Sequence, residues 1–404
     1  MVRHGGRSEE AQKRGFELAR RGKTGHTATM TSSQHMRGYI EGYYGRLLTW
    51  SERRQILDQL ASLGMNAYFY APKEDSRHRV EWRTLWDEEW CKNFAAFCQQ
   101  AKAVNIAVIA GIAPGLDFNF LRNSNDFDIL SKKSHQLKSA GADMLALMFD
   151  DIEAPSADNF PPGMSEASCH AATVNRLAQD IGEPVALVPR IYADEIASNE
   201  GEATAHYSDL ASALPAKTPV FHCGNRIVAG DNPLMPGQDL AADAGFARLV
   251  LWDNRYCNDY CPRRLFVGPH KGRSMNRELM LNGTGMIETD KLLLAVMSAG
   301  DDVAAWRAAL ADSGVPDAFF YLASFFDAPA LTGDVVQALP LPDAQQMDAI
   351  ETLLWRWKSP LAREWYPFLF GLKHDSLIAS GDLPAERIAK TQSAPLYQHV
   401  MRRK

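Results

Sequence analysis

The sequence predicts an α/β fold, a (β/α)8 TIM barrel followed by a small helical C-terminal domain. Three observations predict it. Short apolar runs recur about eight times across roughly 260 residues, each followed by a helix or a helix-sized gap. These runs are too short for helices and suit strands buried on both faces. Several stop abruptly on polar residues, most plainly in Leu145-Ala-Leu-Met-Phe-Asp150-Asp151, where an apolar strand ends on two adjacent carboxylates. Ionised carboxylates are costly to bury without partners. Chemistry in parallel α/β folds collects at the C-terminal ends of strands. Asp150 and Asp151 are therefore expected at the mouth of an active site, against the plainer reading that one of them caps the next helix. A doubly wound open sheet is the alternative. It would carry a glycine-rich phosphate turn after its first strand, for which Gly42-Tyr-Tyr-Gly45 is a poor substitute.

The elements follow in order. Gly38-Tyr-Ile-Glu41 reads as the first strand. Thr49 and Glu52 have capping-box spacing, Ile56, Leu57, Leu60 and Leu63 share one helix face, and Gly64 suits the C-cap. Ala67–Tyr70 is the second strand, followed by a helix with Trp90, Phe94, Phe97 and Ala101 on one face. Ile106–Ala110 is the third, then a helix near 126–140, then the strand ending at Asp150. A helix around 165–181 leads to Val185–Val188. Pro219–His222, Arg248–Trp252 and a weaker Met280–Leu281 complete the set, with a helix at 290–298. Beyond about residue 300 the rhythm is lost. Met347, Ile350, Leu353, Leu354 and Trp357 mark a helix near 343–357, and a last helix covers parts of 359–379.

The expected organisation is a mobile leader over 1–36, rich in Arg, Gly, Ser, Thr and His, a barrel over 37–300 and a helical domain over 301–404. Hydrophobic residues at 46% and charged residues at 23% are ordinary for a soluble globular protein. A net charge of -6 argues against a nucleic-acid partner. No apolar run approaches the roughly 18 residues of a membrane span, and the N-terminus lacks the apolar core of a secretory signal. Cys91, Cys98, Cys169, Cys223, Cys257 and Cys261 are scattered and read as reduced thiols. A cytoplasmic location is the default expectation.

Gathered together, the strand ends carry Glu41, Gly42, Tyr44, Lys73, Asp117, Asp150, Asp151, Tyr192, Asn254, Asp259 and Asn282. In a barrel these are expected to face one pocket. Carboxylates, amides, a lysine and tyrosines are what a sugar needs, with acceptors and donors for hydroxyls and aromatic walls for the ring. Each has a plainer role in isolation: Lys73 at the surface, Asp117 capping a turn, Asn254 bridging a loop. Glycosidases generally place two carboxyls about 5–10 Å apart on separate elements. Adjacent aspartates fit a different scheme, in which the substrate's own 2-acetamido oxygen attacks the anomeric carbon. One aspartate then orients the acetamide N–H, the role expected of Asp150. The other protonates the leaving oxygen and later activates water, the role expected of Asp151.

Gly38-Tyr-Ile-Glu-Gly-Tyr-Tyr-Gly-Arg46, Ala71-Pro-Lys73-Glu-Asp75 with His78-Arg79 and Trp82-Arg83, Pro114-Gly-Leu-Asp117, Phe149-Asp-Asp-Ile152, Trp252-Asp-Asn254 with Asn258-Asp-Tyr260, and Leu265-Phe-Val-Gly-Pro-His-Lys-Gly-Arg273 occur in that order. Over about residues 37–290 the chain resembles the family 84 glycoside hydrolases, the β-N-acetylglucosaminidases that include O-GlcNAcases and some hyaluronidase-named bacterial enzymes. The resemblance implies a barrel and retaining, substrate-assisted (oxazoline) hydrolysis without metal or cofactor. It implies that Asp150 and Asp151 are the catalytic pair and that Gly42, Lys73, Asn254, Asp259 and Asn282 hold sugar hydroxyls. Tyr192 matches the tyrosine lining the acetamide pocket. The implied partner is a carbohydrate or glycoprotein carrying terminal β-linked N-acetylglucosamine.

Three stretches depart from the family pattern. Pro189-Arg-Ile-Tyr192 replaces Pro-Thr-Glu-Tyr, His222-Cys-Gly224 replaces Trp-Thr-Gly, and Leu281-Asn-Gly-Thr284 stands near a usual Thr-Asn-Pro-Asn. Arg190 would meet an acidic or phosphorylated substituent, or pair with a nearby carboxylate. Two other classes stay open at this level: a glycan-binding barrel without turnover, and a metal-dependent enzyme using Asp150, Asp151 and Glu153. Divalent metals favour clustered carboxylates, but no histidine accompanies these three in the sequence and H-E-x-x-H is absent.

Overall fold

The computed structural model describes residues 35–121, 124–273, 277–327, 339–384 and 394–403. Eight parallel strands form a closed barrel in sequence order: β1 (Arg37–Glu41), β2 (Ala67–Tyr70), β3 (Ala107–Ile112), β4 (Met144–Met148), β5 (Val185–Val188), β6 (Val220–His222), β7 (Leu249–Asp253) and β8 (Leu279–Asn282). Closure comes from β1, which pairs with β2 and with β8. The leader expected over 1–36 lies outside the described residues up to 34. Met36 does not belong to a leader. It is fully buried in the barrel core, and its carbonyl accepts from the Leu279 N–H at 2.8 Å.

Both faces of the strands are buried, which explains their unbroken apolar reading. On β2, Ala67 and Phe69 point into the barrel, whereas Tyr68 and Tyr70 face the helices. Inside, Phe69 meets Phe221 and Trp252 with ring centroids 5.1 and 5.7 Å apart. Gly111 on β3 makes room for this layer, since a Cβ there would come 2.8 Å from Met148 Sδ. Outside, the polar tips find partners. Glu41 at the end of β1 accepts two bonds of 2.8 Å from Arg53, and Tyr68 donates to the same carboxylate at 2.7 Å.

The helices between strands are α1 (Trp50–Ser62), α2 (Glu88–Ala103), α3 (Asp126–Ser139), α4 (Glu166–Ile181), α5 (Glu200–Ala213) and α6 (Leu240–Asp243), with α7 (Ile287–Ala299) after β8. The capping box of Thr49 and Glu52 forms as expected. The α1 C-cap is Leu63 rather than Gly64, which follows it at φ +66 in the left-handed region that favours glycine. Between β6 and β7 the chain makes only the single turn of α6, so a full barrel helix is missing there. Sequence reading also missed α8 (Val303–Asp312). Its signals were Asp302, which caps Ala304 and Ala305, the buried pair Trp306 and Leu310, and Gly314 beyond the end.

Then come α9 (Ala344–Trp355), α10 (Pro360–Ser380) and α11 (Tyr397–Met401). The apolar residues of α9 and α10, with Leu396 just before α11, join the same core as the barrel's outer layer. The start of α7 has no side-chain cap of its own. Glu364 of α10 supplies it, accepting from the N–H groups of Glu288 and Thr289 at 3.0 and 2.8 Å. Trp365 donates to the Thr289 hydroxyl at 3.0 Å. Among the described residues no helix is long and apolar enough to cross a membrane.

Breaking a buried ion pair leaves an uncompensated charge, at a cost of about 3–5 kcal/mol. Arg53→Met orphans Glu41 and is expected to lower the unfolding free energy by that amount in a urea titration, with the native secondary structure retained in dilute buffer.

Candidate active site

The C-terminal ends of the strands open into a cavity of about 620 Å3. Gly42, Lys73, Asp150, Asp151, Tyr192, Asn254, Asp259 and Asn282 all line it, with Tyr44. Two strand-end residues do not. Glu41 is held behind β1 by Arg53, and Asp117 accepts from Trp82 Nε1 at 2.7 Å and from Arg83 at 2.5 Å, away from the opening. Their side chains are consumed by local cations and donors, which the gathering of strand ends on paper does not register.

At the centre, Asp150 leaves β4 buried and Asp151 follows with φ +54. Left-handed backbone is uncommon outside glycine, though aspartate tolerates it better than most. The kink turns the second carboxylate toward the opening. Lys73 comes from the turn after β2. Asp75 holds that turn, accepting from Tyr70 at 2.7 Å, Trp86 Nε1 at 2.9 Å and the Arg77 N–H at 3.0 Å. The Lys73 ammonium donates to Asp150 Oδ2 and lies 3.2 Å from Asp151 Oδ2. Tyr192 donates to Asp151 Oδ1 at 2.6 Å and Tyr44 to Oδ2 at 3.0 Å. Arg79 donates to the Tyr44 hydroxyl and, at 2.6 Å, to the Asp151 carbonyl. Asp150 Oδ1, fully buried, has no partner.

The two acids are pushed apart in acidity. Burial raises the Asp150 carboxyl; Lys73 pulls against this, and the neighbouring Asp151 charge adds to the rise. Burial also works to raise Asp151, but Lys73 and the Tyr192 and Tyr44 hydroxyls outweigh it and hold that carboxyl below its usual range. Burial alone would lower Lys73, and the two aspartates reverse the sign. The space between Asp150 and Asp151, where a divalent ion would have to sit, is taken by this ammonium. Among the described residues no cluster of three or more His, Cys, Asp or Glu side chains is placed to hold a metal ion.

The opposite wall is a chain of amides. Gly42 N–H donates to Asn282 Oδ1 at 3.2 Å, Asn282 donates to Asn254 Oδ1 at 2.9 Å, and Asn254 donates to the Ile227 carbonyl at 2.9 Å. Trp252 Nε1 also donates to Asn254 Oδ1 at 3.0 Å. Asp259 accepts from the Tyr44 N–H at 2.8 Å, tying the loops after β1 and β7 together. Beneath them Asp253 is fully enclosed, accepting from His270 at 2.8 Å and Arg273 at 3.0 Å. Burial would raise this carboxyl, but Arg273 and His270 hold it far below the usual range. It stays ionised and anchors the end of β7.

Sequence reading missed Glu195 and Ile196 in the 3-10 turn after β5, and Ile227 and Val228 after β6, all on the cavity wall. Glu195 accepts from the Ile227 N–H at 2.7 Å, joining the two loops. The only sequence signal was position, since barrel loops after successive strands must share the rim. Phe221, Trp252 and Val188 form the floor because they are the last inward residues of their strands.

The departing stretches resolve physically. Arg190 does not reach the cavity. It is buried and donates to Glu166 at 2.8 and 2.9 Å and to Glu202 at 2.9 Å. Of the two expectations for Arg190, pairing with a nearby carboxylate holds, since Glu166 and Glu202 already neutralise it, and the meeting with an acidic substituent does not. Among the described residues the lining agrees, with Lys73 as its one cation against Asp150, Asp151, Glu195 and Asp259. His222 points out of the barrel to Tyr207 at 2.8 Å, while Cys223 takes the inward place. Thr284 turns to Asp290 at 2.7 Å.

A closed barrel whose mouth gathers a carboxylate pair, a lysine and amides has the architecture and residue types that glycoside hydrolases use. A model of the family described as beta-N-acetylglucosaminidase (NAGidase) matches residues 37–299, and the chain belongs to that family. It is 30% identical over 243 residues to protein O-GlcNAcase of Rattus norvegicus and of Mus musculus, covering 59% of this chain. The chain spans 26% of the length of these relatives. An O-GlcNAc hydrolase mutant from Thermobaculum terrenum has the same fold, with a TM-score of 0.70, 20% identity, and coverage of 85% of this chain and 82% of that one.

Gly42 is required by its surroundings, since a Cβ there would lie 2.4 Å from Trp252 Cζ2. Gly42→Ala is expected to displace the indole and cost about 1–3 kcal/mol, read as a shifted Trp252 ring in a crystal structure and a lower unfolding midpoint.

Proposed function

We propose that this chain hydrolyses terminal β-linked N-acetylglucosamine from a glycoconjugate or glycoprotein, with retention and with the substrate's acetamide as nucleophile. The observation that carries the reading is the unequal pair. Asp150 keeps one buried, unpartnered oxygen, and Asp151 stands nearer the opening among three donors. A lone buried acceptor is unfavourable until a donor fills it, and the acetamide N–H is such a donor. Asp150 is then the residue that orients and polarises the acetamide as the oxazoline forms. Asp151, half-turned to the opening by its left-handed backbone, is the acid that protonates the leaving oxygen and the base that later activates water. Gly42, Lys73, Asn254, Asp259 and Asn282 hold the sugar hydroxyls, Tyr192 closes the acetamide side and Trp252 lies beneath the ring. The family match over the whole barrel supports this assignment. The acidic lining argues for a neutral rather than an acidic sugar. Six free cysteines fit a reducing compartment, and a cytoplasmic location goes with them.

The reading is tested with N-acetylglucosaminides of graded leaving group. Asp151→Asn is expected to lose about 10²–10⁴-fold in turnover. The loss should be largest for a poor alkyl leaving group, which needs the proton most, and smaller for a nitrophenyl one. Asp150→Asn should suppress both alike, because oxazoline formation does not depend on the aglycone. Saturable binding of an N-acetylglucosamine-thiazoline mimic without turnover of any substrate would instead mark a glycan-binding barrel.

The acidities also set a pH dependence. Burial and the neighbouring charge shift Asp150 toward holding a proton, and Lys73 with the two tyrosines shifts Asp151 away from it, while catalysis needs the proton on Asp151. The productive form is the minority arrangement of the singly protonated pair, and the pair titrates as a unit. kcat/KM is therefore expected to fall as pH rises through the upper apparent value of the pair, when its last proton leaves. Lys73→Met removes the cation that favours ionisation. It should move this alkaline limb to higher pH, besides lowering kcat/KM, in a pH–rate profile.

A further inference from the structure

The strand that carries the two acids ends in an aromatic stack that hydrolysis itself does not use. Phe149 immediately precedes Asp150, and its N–H makes a ladder bond to Val188 O at 2.8 Å. The imidazole of His170, on α4, lies flat on the Phe149 ring, with centroids 3.9 Å apart and planes 7° from parallel. Phe118 and Phe120 close the other edges of that ring, at 6.5 and 5.9 Å. Phe160, from the loop after the pair, reaches Phe120 at 5.4 Å. On the backbone side Gly115 is so close that a Cβ there would stand 3.1 Å from Phe149 Cα.

His170 is fully enclosed, yet it does not act as a hydrogen-bonding histidine. Its Nδ1 has no partner, and its Nε2 lies 3.8 Å from Glu166, whose oxygens both accept from Arg190. Burial first, then His206 and Arg190, keep the ring uncharged. What remains is a flat face against Phe149. Asp151, two residues after Phe149, holds a left-handed backbone, and such a conformation persists only where the surrounding structure over-determines it.

We propose that His170 is a positioning residue: a plate that pins Phe149 and thereby sets the direction in which Asp150 and Asp151 leave β4. Its kinetic signature rests on the hydrolysis proposed above; its structural signature does not. His170→Leu has similar bulk but no flat face. It is expected to lower kcat about 10- to 100-fold, with KM changed by less than about twofold and cooperative unfolding retained. His170→Phe restores the plate without the nitrogens and should recover most of kcat. Crystal structures of the two variants should show the Lys73–Asp150 ion pair broken in His170→Leu and intact in His170→Phe. Wild-type kcat in His170→Leu overturns the proposal, as does an equal loss in His170→Phe, which would assign the role to the nitrogens. Should the wild type hydrolyse none of the substrates, the proposed function fails by itself. The crystal structures then decide, and an unmoved pair in His170→Leu overturns the inference. Should His170→Leu not fold, Phe149→Leu removes the other plate and is read by the same outcomes.

Discussion

Lys73 is an ammonium almost sealed from water, and it keeps its charge because Asp150 and Asp151 close on it. The dependence runs both ways. Two adjacent carboxylates in an enclosed site repel one another and favour protonation, and one cation placed against both keeps part of that charge in place. The residual negative charge falls on Asp151, where Tyr44 and Tyr192 bring hydroxyls to it. This arrangement joins the turn after β2 to the end of β4 across the intervening strand. It also pushes the acidities of two chemically identical side chains apart, Asp150 upward and Asp151 downward.

The rest of the molecule keeps these groups from drifting. Beneath β1 the carboxylate of Glu41 is locked by Arg53 and Tyr68, and beneath β7 that of Asp253 is locked by Arg273 and His270. Each of these two carboxylates is paired and hydrogen-bonded, the condition under which burial of charge is tolerated. Strand ends fixed in this way hand their loops to the cavity with little freedom. The amide chain of Gly42, Asn282 and Asn254 then spans three loops without water-exposed links. The C-terminal helices extend the same core and cap α7 through Glu364, so they support the barrel from outside.

Much of this was legible in the chain. Eight short runs with helix-sized spacing imply a closed barrel, because only a sheet covered on both faces permits strands without polar alternation. The carboxylates after Phe149 stood out for the same reason: nothing in a buried strand calls for them. Lys73, Asn254 and Asn282 were legible through their place at the ends of β2, β7 and β8. Less was visible where the signal lies in loops. Glu195 and Ile227 carry no local pattern, the single turn of α6 replaces a barrel helix, and α8 was hidden by an alanine-rich stretch without a broad apolar stripe. Arg190 lies behind the wall, in the carboxylate pairing that the sequence also allowed.

By itself the sequence determined the architecture, the strand ends that share a mouth and the residue types gathered there, because periodicity and strand termini are local properties of the chain. Tertiary structure alone decided which of those side chains remain available. Glu41, Asp117 and Arg190 are consumed by partners distant in sequence, whereas Asp150 retains a free oxygen. The same is true of the unequal acidity of the pair. Burial and the approach of Lys73 create it, and both depend on atoms brought together from separate strands.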